Sequence, residues 1–411
     1  MDNLTHTLVG VLVGEATARA APATAAGLSE PARRTTILAL MVVGSNLPDA
    51  DLLTTMLSGD RLDYLLEHRG YTHTVVGAVA AAVLLFAAAL LVLRARGLAL
   101  SRADYRTLAV TALIGPLLHV AMDLTNSYGV HPLWPFYNGW IYGDSVFILE
   151  PMLWATAAPL IFVLKTRSAR ALLALLLAAG IALAFGSGLV PRGLAIALGL
   201  LTIIMLAIGR LLRPGPAVLA SVAMWVAVTA TFVAAGRVAA ACATSEAARS
   251  FPHDELLDHV LTPMPADPLC WELLLIERDG ERYAVRRAML SIMPRVMPVA
   301  SCRNRALEAP TIVPLEAVVA AAHPLVQWYG EFAMSREALK ELVAADCRAA
   351  ALMRFARAPW AARPAAQWLI GDLRFDRGPR LGFASLALDG GSRECSRYVA
   401  PWLPPRRDLL D

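Results

Sequence analysis

Charge is scarce in this chain. Only 17% of its 411 residues are charged, 57% are hydrophobic, and the mean hydropathy is +0.54. A soluble globular chain carries about 25% charged residues, so the shortage argues against an ordinary soluble enzyme and for a membrane protein. Cysteine is missing from the first 241 residues, which excludes a thiolate metal site there; all five, Cys242, Cys270, Cys302, Cys347 and Cys395, come later. No nucleophile elbow, phosphate loop or metal-spaced cysteine pair occurs after residue 244, which removes those soluble catalytic motifs from the tail. The net charge of +4 is too small to point to nucleic acid, and no such partner is expected. Residues 1–7 contain no basic side chain, so no cleavable signal peptide is expected.

What the chain does have is long apolar runs, at 74–93, 107–124, 146–164, 171–190, 194–212 and 217–235. Each approaches the roughly 20 residues that cross a bilayer. Two earlier segments, 4 to about 21 and 36–47, read as helices inserted only in part, the first carrying Glu15 and Arg19 and the second being short. The expectation is a mainly α protein: a polytopic bundle of six to eight spans over residues 1–240, then a smaller α+β extramembrane domain over 244–411.

Arginine placement sets the expected orientation. The loops after the first, third, fifth and seventh segments carry Arg33 and Arg34; Arg94, Arg96, Arg102 and Arg106; Lys165, Arg167 and Arg170; and Arg210 and Arg213. The alternate loops carry only Arg61, Arg69 and Arg192. By the positive-inside rule the first set is cytoplasmic, which puts the loops at 47–73 and 126–145 and everything after the last span outside.

Against that frame, five of the eight histidines fall in the first 131 residues, interleaved with carboxylates. His6 opens segment one, Asp49 and Asp51 close segment two, His68 and His73 precede segment three, and His119 and Asp123 close segment four. Every one falls at the external end of its segment. His119 and Asp123, spaced i, i+4, share a helix face roughly 7 Å or less below the outer end of their segment. An imidazole and a carboxylate so placed suit zinc, manganese or iron; a hydrogen-bonded pair packing two helices is the plain alternative. His68 and His73 bracket a glycine turn in HRGYTHT, and Asp49 and Asp51 sit in SNLPDAD, where they can ligate or merely cap a turn. Taken together, seven residues (His6, Asp49, Asp51, His68, His73, His119 and Asp123) are read as ligands to one or two divalent ions, most naturally zinc. Arg69 is a candidate for stabilising developing negative charge, and Asp51 or Glu150 for the general base. His131 and Asp144 stand in reserve.

Four blocks, MDNLTHTLVG, SNLPDAD, HRGYTHT and LLHVAMDLTNSYGVHPLWPF, resemble the YdjM-type inner-membrane proteins. The resemblance covers residues 1 to about 136, and TPMPADPLCWELLLIERDGERYAV is similar to the extramembrane part of longer members. It implies a metal-dependent hydrolase of the bacterial inner membrane whose polar centre is those same seven residues. It implies little about the substrate.

In the tail, WELLLIE and RYAVRRAML flank Asp279-Gly280, a hairpin signal. WLIGDLRF and LGFASLAL suggest a second hairpin, and 335–355 has helical spacing with Ser335 as cap. The tail reads as a lid or recognition domain, with one or two disulfides if it faces an oxidising compartment. The expected function is metal-assisted hydrolysis of an ester or phosphoester in a lipid or other amphiphile at the outer leaflet, with membrane lipids as partners. A divalent-cation or proton-coupled transporter, and a scaffold with a structural metal, are the alternatives.

Overall fold

The computed structural model describes all residues except 23–26, 54–59, 303–304, 389–394 and 396–398. Helix α1 spans Asn3–Ala20, capped by the Asp2 carboxylate, which accepts the N–H groups of Leu4 and Thr5. Helix α2, Glu30–Gly44, bends by 54° into the short helical stretch Leu47–Leu53. Pro48 stands at the start of that stretch, where its ring fits because the first N–H of a helix has no intrahelical partner. Then follow α3 (Arg61–Glu67), α4 (Val75–Ala95) and α5 (Arg102–Asp123), the last opened by a reciprocal Ser101–Asp104 capping box.

The remaining helices are α6 (Pro151–Thr156), α7 (Leu160–Val163), α8 (Arg167–Gly186), α9 (Arg192–Leu211) and α10 (Pro214–Ser250). Five of these helices, α4, α5, α8, α9 and α10, are long and apolar enough to cross a membrane, and α2 with its bent continuation makes a sixth. One expectation is thereby corrected. The run at 146–164 is not one span but α6 and α7, because Pro159 has no N–H for a helical bond and its ring clashes with the carbonyl four residues back. Helix α1, which carries His6, Glu15 and Arg19, is not apolar enough to count among the five.

The tail builds a four-stranded antiparallel sheet in the order β1 (Glu255–Met264), β2 (Asp267–Asp279), β3 (Arg282–Ser291) and β4 (Val326–Ser335). The β2–β3 hairpin turns at Gly280, whose φ of 55° needs a residue without Cβ. Helices α11 (Arg336–Ala345, capped by Ser335) and α12 (Cys347–Leu352) lead into a second antiparallel sheet of β5 (Pro359–Ala362), β6 (Trp368–Asp372) and β7 (Ser385–Leu388). Disulfides join Cys270 to Cys302 and Cys347 to Cys395, and Cys242 is a free thiol.

One helix unites the two parts. The 37 residues of α10 reach roughly 55 Å at about 1.5 Å each, well beyond the ~30 Å of a hydrocarbon core. Its last turns leave the bundle and bury Ala239, Ala243 and Ala247 against Trp271, Leu273 and Leu275 of β2. The sheet part therefore grows from a continuous helix, and it folds back over the bundle end where α1 begins and α5 finishes. Arg374 donates to the carbonyls of Ser127 and Tyr128 just past α5, and Arg357 pairs with Asp144.

Candidate metal centre

The site depends on a close helix crossing. A Cβ on Gly115 would lie 3.0 Å from the Gly44 Cα, so only paired glycines let α5 touch the end of α2. One turn beyond Gly115, His119 reaches the α2 terminus and its Nδ1–H donates to the Ser45 carbonyl at 2.8 Å. That bond leaves Nε2 as the free, basic nitrogen. His73 is oriented the same way: the Thr72 hydroxyl donates to Asp51 at 2.9 Å and so accepts from His73 Nδ1–H at 3.0 Å. In that tautomer the two Nε2 atoms face each other at 3.0 Å, and a cation placed beside both would accept both lone pairs.

Carboxylates complete the set. His73 Nε2 lies 3.3 Å from Asp49 and 3.3 Å from Asp123; His119 Nε2 lies 3.4 and 3.5 Å from the same two. Four ligands about 2.0–2.1 Å from a tetrahedral ion stand about 3.3 Å apart, so Asp49, His73, His119 and Asp123 have the spacing of a preformed metal site. All four are buried, with one ligand atom of each within 4.8 Å of the others. A second trio, Asp49, Asp51 and His68, meets the same test and shares Asp49, which could bridge two ions.

The fit is supported by what is left over. Both ring nitrogens of His6 and Oδ2 of Asp123 are buried with no hydrogen bond among the described residues. Each unmet buried polar atom costs about 1–3 kcal/mol, and a cation would satisfy them. His6 stacks on His119 at 3.8 Å and lies 3.3 Å from Asp123, at hand as a further ligand.

Arg69 enters through backbone strain. Its φ is +59°, rare for a residue with a side chain, and such outliers gather at functional sites. The turn aims its guanidinium at Asp123 and Asn126, 3.0 Å from each, and its N–H at Asp51. His131 holds that turn from behind, its ring between Trp140 and Trp402 and its Nδ1 3.4 Å from the Arg69 carbonyl.

Not every expected residue arrives. Glu150, read from the sequence as a possible base, instead caps α6, accepting the N–H of Met152 at 2.9 Å and that of Ala266 at 3.1 Å; it ties α6 to the β1–β2 turn and is not in either ligand group. Asp144 is bound to Arg357. Asp51 is close but engaged, accepting from Thr72, Arg69 N–H and His68. His68 is better placed for proton transfer: Asp51 holds its Nδ1 at 3.1 Å and its side chain lines the main cavity. Burial pushes the His68 imidazole below its usual range, partly offset by Asp51.

That cavity, about 450 Å³, lies between bundle and sheet part. Asp49, His68, Arg69, Asn126 and Tyr128 line it on one side and Arg374, Phe375, Arg377 and Phe383 on the other. Sequence reading expected a lid or recognition role for the tail but missed Asn126, Tyr128 and the particular tail residues that line the cavity. The first two follow Asp123 in the same block, and their nearness to a ligand was the available signal; Arg377, some 250 residues away, had none.

An apolar helical bundle with a buried His/Asp centre at one end, roofed by a sheet, defines a polytopic membrane protein with a candidate metal site. Residues 1–192 match the model of the YdjM inner membrane protein family, so the first part of the chain is similar to that family. The uncharacterized protein YfhP of Bacillus subtilis is similar to it, 27% identical over 153 residues, which are 37% of this chain and 43% of that relative. The chain thus matches less than half the length of that relative. No solved structure matches.

Proposed function

We propose that the chain is a membrane-embedded, metal-dependent hydrolase acting on an ester or phosphoester of an amphiphile. The observation that carries the reading is the convergence of two imidazoles and two carboxylates beside a cavity with both polar and apolar lining. When bound, a divalent ion such as zinc, with manganese or iron as variants, supplies Lewis acidity and acidifies water. Asp49, His73, His119 and Asp123 hold it, and His6 is the reserve ligand. His68, steadied by Asp51, takes the proton of the attacking water. Arg69 offsets negative charge that develops on the substrate. Phe147, Ile148, Phe375 and Phe383 line the cavity and accept an apolar substrate moiety.

The reading places the site and the sheet part on the external side of the bacterial inner membrane. Two disulfides after the last span support this, since such bonds persist in oxidising compartments, as does the arginine excess in the loops at the other end. A reporter fused after Asp411 tests it, and a cytoplasmic signal would overturn it. For the activity, detergent-purified protein is incubated with lipid esters and phosphoesters. Product formation should vanish with chelator and with His68→Ala, the latter retaining the ion held by the four-residue group. Metal-dependent flux into proteoliposomes without any product would instead favour a transporter.

A further inference from the structure

Resting on that hydrolase reading, we infer that Arg69, Asn126 and Tyr128 form a binding pocket for the non-bridging oxygens of a phosphoryl group, so that the substrate class is a phosphoester and not a carboxylic ester. All three are more than nine-tenths buried and line the cavity beside the ligands. Arg69 Nε, Asn126 Nδ2 and Tyr128 Oη each lack a hydrogen-bond partner among the described residues. These are donors, about four N–H and O–H hydrogens in total, gathered next to a cation site. A set dominated by N–H donors, with a hydroxyl that can also donate, recognises an anion.

The number of donors selects among anions. A carboxylic ester develops one oxyanion, which a pair of donors satisfies, whereas a phosphoryl group presents two or three charged oxygens in different directions. The donors are also locked in place before any ligand arrives. Asn126 Oδ1 accepts from Arg69 Nη1 and from the Tyr128 N–H, both at 3.0 Å, which fixes the amide so that Nδ2 is the end left free. The Tyr128 ring lies under the Arg69 guanidinium at 4.6 Å and packs on Phe355 at 5.1 Å. Arg374 of the sheet part holds the carbonyls of Ser127 and Tyr128 at 2.8 and 3.2 Å, so the tail positions the pocket. In hydrolysis, water gives one proton to His68 and its oxygen forms a new P–O bond. The P–O bond to the alcohol breaks with its electron pair, and the departing alkoxide takes up that proton.

The test measures binding of inorganic phosphate, octyl phosphate and octanoate to the detergent-solubilised full chain by calorimetry, alongside metal content. Octyl phosphate is expected to bind at least about tenfold more tightly than octanoate, which has the same number of carbons without the phosphoryl oxygens. Asn126→Asp should weaken both phosphates by about tenfold or more, and Tyr128→Phe by several-fold, with metal content as in the unchanged chain. If Asn126→Asp fails to fold, Tyr128→Phe, which keeps the ring, decides alone. Tighter octyl phosphate than inorganic phosphate names a lipid-like headgroup; equal affinity names free phosphate, and either supports the pocket. Octanoate binding as tightly as octyl phosphate, or phosphate affinity unmoved in a folded variant, would overturn it. A bound ion without phosphate preference removes the pocket and leaves the metal reading, whereas phosphate preference without an ion keeps the pocket and removes the hydrolase.

Discussion

Two clusters of buried charge lie on either side of the cavity, and they are finished to different degrees. In the sheet part, Arg374 donates to Asp372 and to the carbonyls of Ser127, Tyr128 and Phe355, while Arg357 binds Asp144, Asp258 and the His259 carbonyl. The hydrogen-bonding capacity of these two guanidinium groups is taken up by protein. At the bundle end, Asp49, His73, His119, Asp123 and His6 are buried as well, yet nitrogen faces nitrogen and, among the described residues, the His6 ring has no hydrogen bond. A closed network holds a structure together; an open one awaits a ligand.

The comparison can be broken most forcefully at the ligands. His119→Ala or Asp123→Ala should lower metal affinity by more than about 100-fold, since even outer partners of a ligand are worth 10–100-fold, while the sheet part melts as before. Full metal content in both variants, by elemental analysis, would reduce the bundle cluster to helix packing. Arg374→Met should do the reverse. Leaving Asp372 buried without its partner costs about 3–5 kcal/mol, read as a lowered melting temperature, and the folded fraction keeps its metal.

Reduction of the disulfides is expected to cost the sheet part about 2–4 kcal/mol for each bond. A melting temperature unchanged by reductant would show that these bonds do not brace it. Acidity should separate the two clusters further. Burial raises the carboxyls of Asp267 and Asp376 to about 6 and that of Glu277 to about 7. In the folded sheet these groups hold protons that the unfolded chain has released above about pH 4, so their contribution is complete below that pH and is lost as pH rises through 6 to 7. Melting of the sheet part should therefore fall between pH 5 and 8, less so in Asp376→Asn. The smallest effect is expected at Glu150→Gln, which disturbs one backbone contact, costs about 1–2 kcal/mol and leaves metal content alone. Loss of activity there without loss of stability would restore Glu150 as a base.

Much of this was legible before any coordinates. The apolar runs predicted most of the helices, since burial in lipid needs length and composition that local sequence displays. The Asp279-Gly280 turn announced its hairpin, because a positive φ demands such residues. The exceptions have local causes as well: Pro159 splits one expected span, and Glu15 and Arg19 keep α1 from ranking with the others. The site was legible as a list. His6, Asp49, His73, His119 and Asp123 stood out because ionisable groups are costly in apolar segments, but nothing in the spacing could tell Glu150, equally conspicuous, from a true member. Its two backbone donors belong to residues 152 and 266, one of them far along the chain.

The sequence by itself thus determined that this is a membrane protein, where its polar residues fall along each helix, and that they share one end of the bundle; these follow from periodicity and composition, which are local. Only the tertiary structure decided that Ser45 and Thr72 meet the Nδ1 atoms of His119 and His73, that Asp49 falls in both candidate ligand groups, and that Asn126 and Tyr128 share a cavity lining with Arg374 and Phe375. Those are properties of angles and of distances of about 3 Å between distant segments. They arise when helices cross at Gly44 and Gly115 and a sheet folds back over them.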